Sequence, residues 1–163
     1  MKKLNLLFVL LLGLIVSFSA CKSDDDNNGG VKTADQYLTG ASAWKITAGT
    51  ISPAVEFNGM QITDYYAFFM QDCEKDNFLT FSGSGTTGTF VEDEGAVKCN
   101  ESDPQTENGT WEFLENYSKL KIVEGSDIME LNVVSIDASK IVVSGDNVEA
   151  GVTYTVTYTL TAQ

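Results

Sequence analysis

The sequence contains no histidine and no arginine among its 163 residues. Without histidine there is no Ser-His-Asp triad, no Cys-His pair and no imidazole ligand for a metal ion. Without arginine there is no bidentate clamp for a phosphate or carboxylate group. The formal net charge of −13 argues against nucleic-acid binding, which needs a basic surface. We therefore expect neither an enzyme nor a cofactor-binding or nucleic-acid-binding protein.

The chain does have enough apolar side chains for one core. Apolar residues make up 43% of the sequence, which excludes wholesale disorder. The length suits one domain and is short for two.

The first residues have the pattern of an export signal. Lys2 and Lys3 precede an apolar run over 4–18, which has the length of a signal-peptide core and is short for a membrane-spanning helix. The run leads to Ala20 and Cys21, and a small residue directly before a cysteine resembles the lipobox of bacterial lipoproteins. This resemblance implies cleavage after Ala20 and attachment of lipid, with acyl chains such as palmitate, at Cys21. The alternative is an ordinary secretory signal that leaves Cys21 as a free thiol.

Residues 22–30 are polar, acidic and glycine-containing, which is typical of a flexible tether. They resemble the acidic segment after the lipidated cysteine of Bacteroidota lipoproteins that reach the cell surface. The resemblance implies a lipid-anchored protein of the outer membrane, exposed at its outer face; a plain spacer facing the periplasm is the alternative. We predict a signal peptide over 1–20, the lipidated cysteine and tether over 21–35, and one domain over 36–163.

Cys73 and Cys99 remain once Cys21 is lipidated. In an oxidising compartment, two remaining cysteines most simply form a structural disulfide. A metal site and a redox pair are the alternatives, although two cysteines without histidine make a poor zinc set and the spacing is not C-x-x-C.

From residue 77 onward the pattern predicts successive β-strands. Residues 78–81 and 87–91 flank a glycine-rich turn, which indicates a hairpin. Further strands are predicted at 44–48, 109–114, 119–123, 128–136, 140–143 and 152–161. The last is the clearest, because Val, Tyr and Leu alternate strictly with Thr. We predict an all-β fold, an antiparallel meander of about eight strands that closes into a barrel, because closure removes exposed strand edges.

Two stretches before residue 77 lack this regularity. Residues 50–64 contain Pro53 and Gly59, and we predict a long loop there. Residues 64–72 are rich in aromatic side chains without clean alternation. A short helix capped by Asp64 and an aromatic strand both remain open for this stretch.

Several motifs follow one another in a distinctive order. Leu38-Thr39-Gly40 precedes Trp44-Lys45-Ile46, Cys73 precedes an aromatic strand, and Cys99 precedes Gly109-Thr110-Trp111. Together they resemble the lipocalin-like domain of many small Bacteroidota lipoproteins, over roughly residues 36–161. The resemblance implies a calyx-like barrel and a disulfide between Cys73 and Cys99. The Gly-x-Trp motif of true lipocalins is not met, because three residues separate Gly40 from Trp44.

Aromatic side chains are the candidates for ligand binding, and filling of the core is their alternative role. The candidates are Trp44, Tyr65, Tyr66, Phe68, Phe69, Phe81, Trp111, Tyr154 and Tyr158. The acidic groups at 72–76 and 92–94 lack EF-hand spacing, so we interpret them as solvated loops and predict no metal site.

Two functions remain as hypotheses. The first is a lipid-anchored, non-catalytic barrel that binds a small, mainly apolar ligand in the cell envelope, with residues 50–72 near its mouth. The second is a structural or interaction protein of the outer membrane, with a filled barrel and a protein or glycan partner.

Overall fold

The computed structural model describes residues 32–163, which form nine strands and two short helices. The predicted signal peptide, Cys21 and the tether up to residue 31 lie outside the described residues. In chain order the elements are α1 (Ala34–Leu38), β1 (Trp44–Phe57), β2 (Met60–Asp64), α2 (Tyr65–Phe68), β3 (Phe78–Ser84), β4 (Thr87–Asp93), β5 (Thr106–Leu114), β6 (Lys119–Glu124), β7 (Asp127–Ile136), β8 (Lys140–Glu149) and β9 (Val152–Ala162).

Eight of these strands form a closed antiparallel barrel. From β3 to β9 each strand pairs with the next along the chain, and β1 closes the ring by pairing with both β9 and β3. The closing contact with β3 is a single residue pair, Trp44 with Leu79, whereas β1 and β9 pair from Trp44 to Ser52. The prediction of an all-β meander that closes into an eight-stranded barrel is thus confirmed.

The barrel has two different ends. At the lower end lie α1 and the turns that connect β3 to β4, β5 to β6, and β7 to β8. At the upper end lie the β1–β2 hairpin, α2, the long connections 69–77 and 94–105, and the β6–β7 and β8–β9 turns.

Strand β1 is longer than the sequence pattern predicts, and the predicted long loop over 50–64 is wrong. β1 continues to Phe57 and forms a hairpin with β2 through Asn58 and Gly59, both with positive φ. Asn-Gly favours such two-residue turns, because both residues tolerate this conformation. Pro53, which has no N–H to donate, lies where β1 changes its partner from β9 to β2.

The ambiguous aromatic stretch begins with a helix. The carboxylate of Asp64 accepts a hydrogen bond of 2.8 Å from the backbone N–H of Ala67 and so caps α2. The predicted short helix is therefore confirmed, and the aromatic strand is wrong.

The lower half of the barrel is filled by a group of side chains that we call the plug: Leu38, Trp44, Trp111 and Phe113. The Trp44 ring is fully buried, and its indole N–H donates to the carbonyl oxygen of Leu38 at 2.8 Å. This bond ties α1 to the start of β1. The plug therefore closes the lower end although the spacing of Gly40 and Trp44 differs from that of true lipocalins.

A disulfide between Cys73 and Cys99 joins the two long connections at the upper end, 69–77 and 94–105, which we call the upper loops. The carboxylate of Asp76 provides a second link, because it accepts hydrogen bonds from the backbone N–H groups of Ala96 and Val97 at 2.7 and 3.0 Å. The predicted disulfide is present, and it crosslinks loops beside the barrel mouth.

Candidate functional site

The upper half of the barrel encloses a cavity of about 510 Å³, which we call the main cavity. Its floor and lower walls are formed by apolar side chains that point inward from β1, β3, β4 and β6 to β9. They include Ile46, Leu79, Phe81, Phe90, Leu120, Ile122, Leu131, Ile141, Val143 and Leu160. The cavity thus lies directly above the plug, of which Leu38 forms part of the floor.

A second cavity of about 630 Å³ lies towards the other side of the mouth, between β1, α2 and strands β7 to β9. Tyr65, Met129, Leu131 and Tyr158 line both cavities. The rings of Tyr65 and Tyr158 meet edge to face, with centroids 5.5 Å apart. Burial raises the pKa of the Tyr158 phenol, and the neighbouring Tyr65 raises it further.

The structure divides the predicted ligand-binding aromatics into three groups. Tyr65, Phe81 and Tyr158 line the main cavity, and Phe69 and Tyr154 line the second one. Trp44 and Trp111 lie in the plug, because their rings fill the lower core and their indole N–H groups are bonded to backbone carbonyls. Tyr66 and Phe68 line neither of these cavities.

Phe68 instead belongs to a group of exposed apolar side chains around the mouth, which we call the apolar rim. Its own exposed fraction is 57%. The other members come from every connection at the upper end: Phe57, Met60, Phe69, Val97, Ile128, Met129, Val148 and Val152. An apolar surface at the entrance to an apolar cavity suits the passage of an apolar molecule.

A group of carboxylates that the sequence pattern did not predict lines the inside of the barrel. Glu92 follows Phe90 by two residues on β4, and Glu124 follows Ile122 by two on β6, so both share the inward face of these cavity-lining residues. Glu107 is directly opposite Glu92 in the β4–β5 ladder and faces the same interior. We call Glu92, Glu107 and Glu124 the inner carboxylates.

The upper loops complete one side of the mouth. Met70, Gln71, Glu74 and Asn77 from the first loop, and Glu94 and Cys99 from the second, line the main cavity. The side-chain amide of Asn77 donates to Glu92 at 2.8 Å and so links the first loop to the inner carboxylates. The disulfide therefore holds together two segments that border the cavity.

Within residues 32–163, no helix is long and apolar enough to cross a membrane. In the same range, no group of three or more histidine, cysteine, aspartate or glutamate side chains is arranged to hold a metal ion.

Comparison with known proteins gives one family match. Residues 38–143 match the model of the lipocalin-like domain family. No curated protein matches the chain. Among solved structures, the chain resembles a complex of bovine odorant binding protein with a selenium-containing odorant. The two share 12% identity over 82% of this chain and 75% of that one, with a TM-score of 0.42.

Proposed function

The chain belongs to the lipocalin-like domain family, and we propose that its barrel is a non-catalytic module that binds a small, mainly apolar molecule in the main cavity. The observation that carries this proposal is the cavity itself, with its volume of about 510 Å³ and its apolar floor. Ligand-binding cavities in proteins commonly measure about 300–1,000 Å³ and combine apolar walls with a few polar groups. An eight-stranded barrel is also wide enough to hold one small ligand.

The alternative of a filled barrel with an external partner is weakened by the same cavity. Only the lower half of the interior is occupied by side chains of the plug. The exposed Phe68 and Phe69 would still suit a partner that docks at the mouth. The test below separates the two functions, because only the first depends on space inside the barrel.

Binding can be measured with the neutral dye N-phenyl-naphthylamine, whose fluorescence rises in apolar surroundings. Ile122 lines the main cavity, whereas Val123, the next residue of β6, points to the outside of the barrel. We expect Ile122→Trp to weaken dye binding about tenfold, equivalent to about 1.4 kcal/mol, because the indole occupies cavity space. Val123→Trp is the matched control and should bind the dye like the wild type.

Equal affinity in both variants would mean that the dye binds outside the main cavity and would contradict the proposal. Circular dichroism of both variants verifies that the barrel is intact. If Ile122→Trp does not fold, Leu131→Phe tests the same point, because Leu131 lies in the wall of both cavities.

We further propose that the protein is a lipoprotein anchored in the outer membrane through acyl chains on Cys21 and exposed at the cell surface. The support is the sequence order of basic residues, apolar run, Ala20 and Cys21, followed by an acidic tether. Metabolic labelling with palmitate should mark the wild type and Cys73→Ser, but not Cys21→Ser. Label on Cys21→Ser would contradict the anchor, and resistance to protease on intact cells would contradict surface exposure.

A further inference from the structure

The inner carboxylates are neighbours on three consecutive strands. Glu92 and Glu107 are direct partners across β4 and β5, and such partners have Cβ atoms about 4.5–5.5 Å apart. Glu124 is the partner of Gly109, which lies two residues beyond Glu107 on the same face of β5. The three carboxylates therefore form one patch on the inner wall, immediately above the layer of Phe90 and Ile122.

This patch of like charges is electrostatically unfavourable for the protein by itself. Like charges directly opposite each other on a sheet destabilise it. Burial raises the pKa of Glu124, and the negative charges of Glu92, Glu107 and Asp127 raise it further. Glu74 and Glu94 of the upper loops add two more carboxylates to the cavity lining, and no lysine lines the main cavity among the described residues.

Two buried acceptors in the cavity lining also receive no hydrogen bond from protein atoms. They are Oε1 of Glu124 and Oδ1 of Asn77, whose amide nitrogen is already engaged with Glu92. Buried acceptors normally find a donor, since leaving one without a partner is energetically costly. A ligand group with several N–H donors and a positive charge would satisfy both acceptors and neutralise the patch.

The floor below the patch has the opposite character. Ile141, Val143 and Leu160, with the aromatic rings of Phe81 and Phe90, offer only apolar surface. One molecule that fills the cavity therefore meets carboxylates at one end and hydrocarbon at the other.

Resting on the proposed binding function, we propose that the ligand is an amphipathic organic cation. Its ammonium-like end lies among Glu92, Glu107 and Glu124, and its apolar part lies on the cavity floor. The same arrangement disfavours fatty acids and other apolar anions, because their carboxylate would have to lie in a negative patch without a counter-charge. Neutral apolar molecules fit the floor but leave the repulsion between the inner carboxylates uncompensated.

The test uses three competitors of equal chain length and different charge: decylammonium, decanol and decanoate. Each is titrated, below its micelle concentration and at neutral pH, into the full chain with bound N-phenyl-naphthylamine, and displacement of the dye is measured. We expect decylammonium to bind about tenfold more tightly than decanol, the ratio that about 1.4 kcal/mol of charge pairing produces. Decanoate should bind more weakly than decanol.

Substitutions test whether the inner carboxylates cause the preference for decylammonium over decanol. In the double variant Glu107→Gln and Glu124→Gln, the affinity for decylammonium should fall about tenfold towards that for decanol. Glu112 lies on the outer face of β5, between the inward-facing Trp111 and Phe113. The matched control therefore combines Glu112→Gln with Glu101→Gln from the second upper loop, which changes the net charge equally and should leave the preference unchanged.

The outcomes separate this inference from the function on which it rests. Binding of decanol with no preference for decylammonium would overturn the cation inference and leave the apolar binding function in place. Failure of all three to displace the dye, together with equal dye affinity in Ile122→Trp and Val123→Trp, would overturn both. Equal affinity for decylammonium in the wild type and in the double variant would show that the preference does not come from the inner carboxylates and would also overturn the inference.

Discussion

At the scale of single residues, the position of Trp111 depends on a glycine in the neighbouring strand. The indole N–H donates to the carbonyl oxygens of Ser82 and Thr89, both at 3.1 Å. Gly88 is the direct partner of Trp111 across β4 and β5. A Cβ at Gly88 would lie 2.6 Å from the indole nitrogen and would overlap the carbonyl oxygen of Ser82. The plug thus requires a residue without a side chain at this point.

We expect Gly88→Ala to lower the free energy of unfolding by about 1–3 kcal/mol, the usual cost of overpacking a core. Urea denaturation followed by circular dichroism measures the change. Gly145→Ala is the control, because its Cβ would meet only the terminal Cδ2 of Leu131, at 3.0 Å, and backbone 4.0 Å away. That control should change stability by less than about 1 kcal/mol, since the flexible Leu131 can yield and alanine loses less entropy on folding. Equal losses in both variants would show that the indole is not held in place as described.

The inner carboxylates show what alternation can and cannot reveal. The sequence itself places Glu92 two residues after Phe90, and Glu124 two after Ile122, so an inward direction follows once each strand is extended to its true end. Because residues 92–94 were interpreted as a solvated loop, the predicted strand ended at residue 91, two residues before the end of β4. That the inner carboxylates lie side by side could not be predicted, because this depends on the register between strands, which the sequence alone does not reveal.

At the scale of elements, the disulfide fastens the two upper loops beside the cavity. Cys73 and Cys99 are 26 residues apart, and the loop they close contains the β3–β4 hairpin. The double variant Cys73→Ser and Cys99→Ser should lose about 3.5 kcal/mol of unfolding free energy, because the unfolded chain is no longer constrained. Thermal or urea denaturation of the variant and of the wild type treated with reductant gives the value.

The barrel itself should survive this change, because its strand pairing does not involve either cysteine. Asp76 still links the loops through Ala96 and Val97 in the double variant. Adding Asp76→Ala should therefore weaken dye binding further than either change alone. An unchanged affinity for the dye in the variant that lacks both links would show that the loops do not shape the cavity.

Strand β1 explains why the fold was predictable in type but not in extent. The alternation of Trp44 and Ile46 identified its start correctly. A register shift between Ile46 and Ala48 then moves the inward positions to Gly49 and Ile51, so a strict period of two breaks within one continuous strand. The pair Asn58-Gly59 is a sequence signal for a two-residue hairpin turn, whereas the predicted loop was based on Pro53 and Gly59 as breaking residues.

At the scale of the whole molecule, stability should be greatest at mildly acidic pH. The pKa of Glu124 is raised in the folded state, so ionised Glu124 destabilises the fold at neutral pH. This destabilisation disappears as the pH falls to 4.5, the ordinary pKa of a glutamate. Hydrogen bonds lower the pKa of Asp35, Asp93 and Asp137, mainly from Thr33, Gln105 and Ser139 respectively. Their stabilisation is present above the ordinary value of 3.8 and is lost as pH falls through their folded values.

We therefore expect the melting temperature to rise as pH falls from 7 towards about 4.5, and to decline below about 3.8. Glu124→Gln should raise the melting temperature at neutral pH and reduce its increase between pH 7 and about 4.5. Glu112→Gln should leave the pH dependence of the melting temperature unchanged. Differential scanning calorimetry at several pH values provides the curves. A maximum at neutral pH in the wild type would contradict this account of the inner carboxylates.

The location of the plug has an optical consequence. Trp44 and Trp111 are the only two tryptophans of the chain, and both are almost fully buried in the plug, outside the lining of either cavity. Their emission should lie at short wavelength in the folded protein, resist collisional quenchers and shift to the red on unfolding. Tyr65 and Tyr158, in contrast, absorb and emit from the cavity wall. Tryptophan emission thus reports whether the barrel is folded, whereas two of the six tyrosines, Tyr65 and Tyr158, lie where a molecule in the main cavity would contact them.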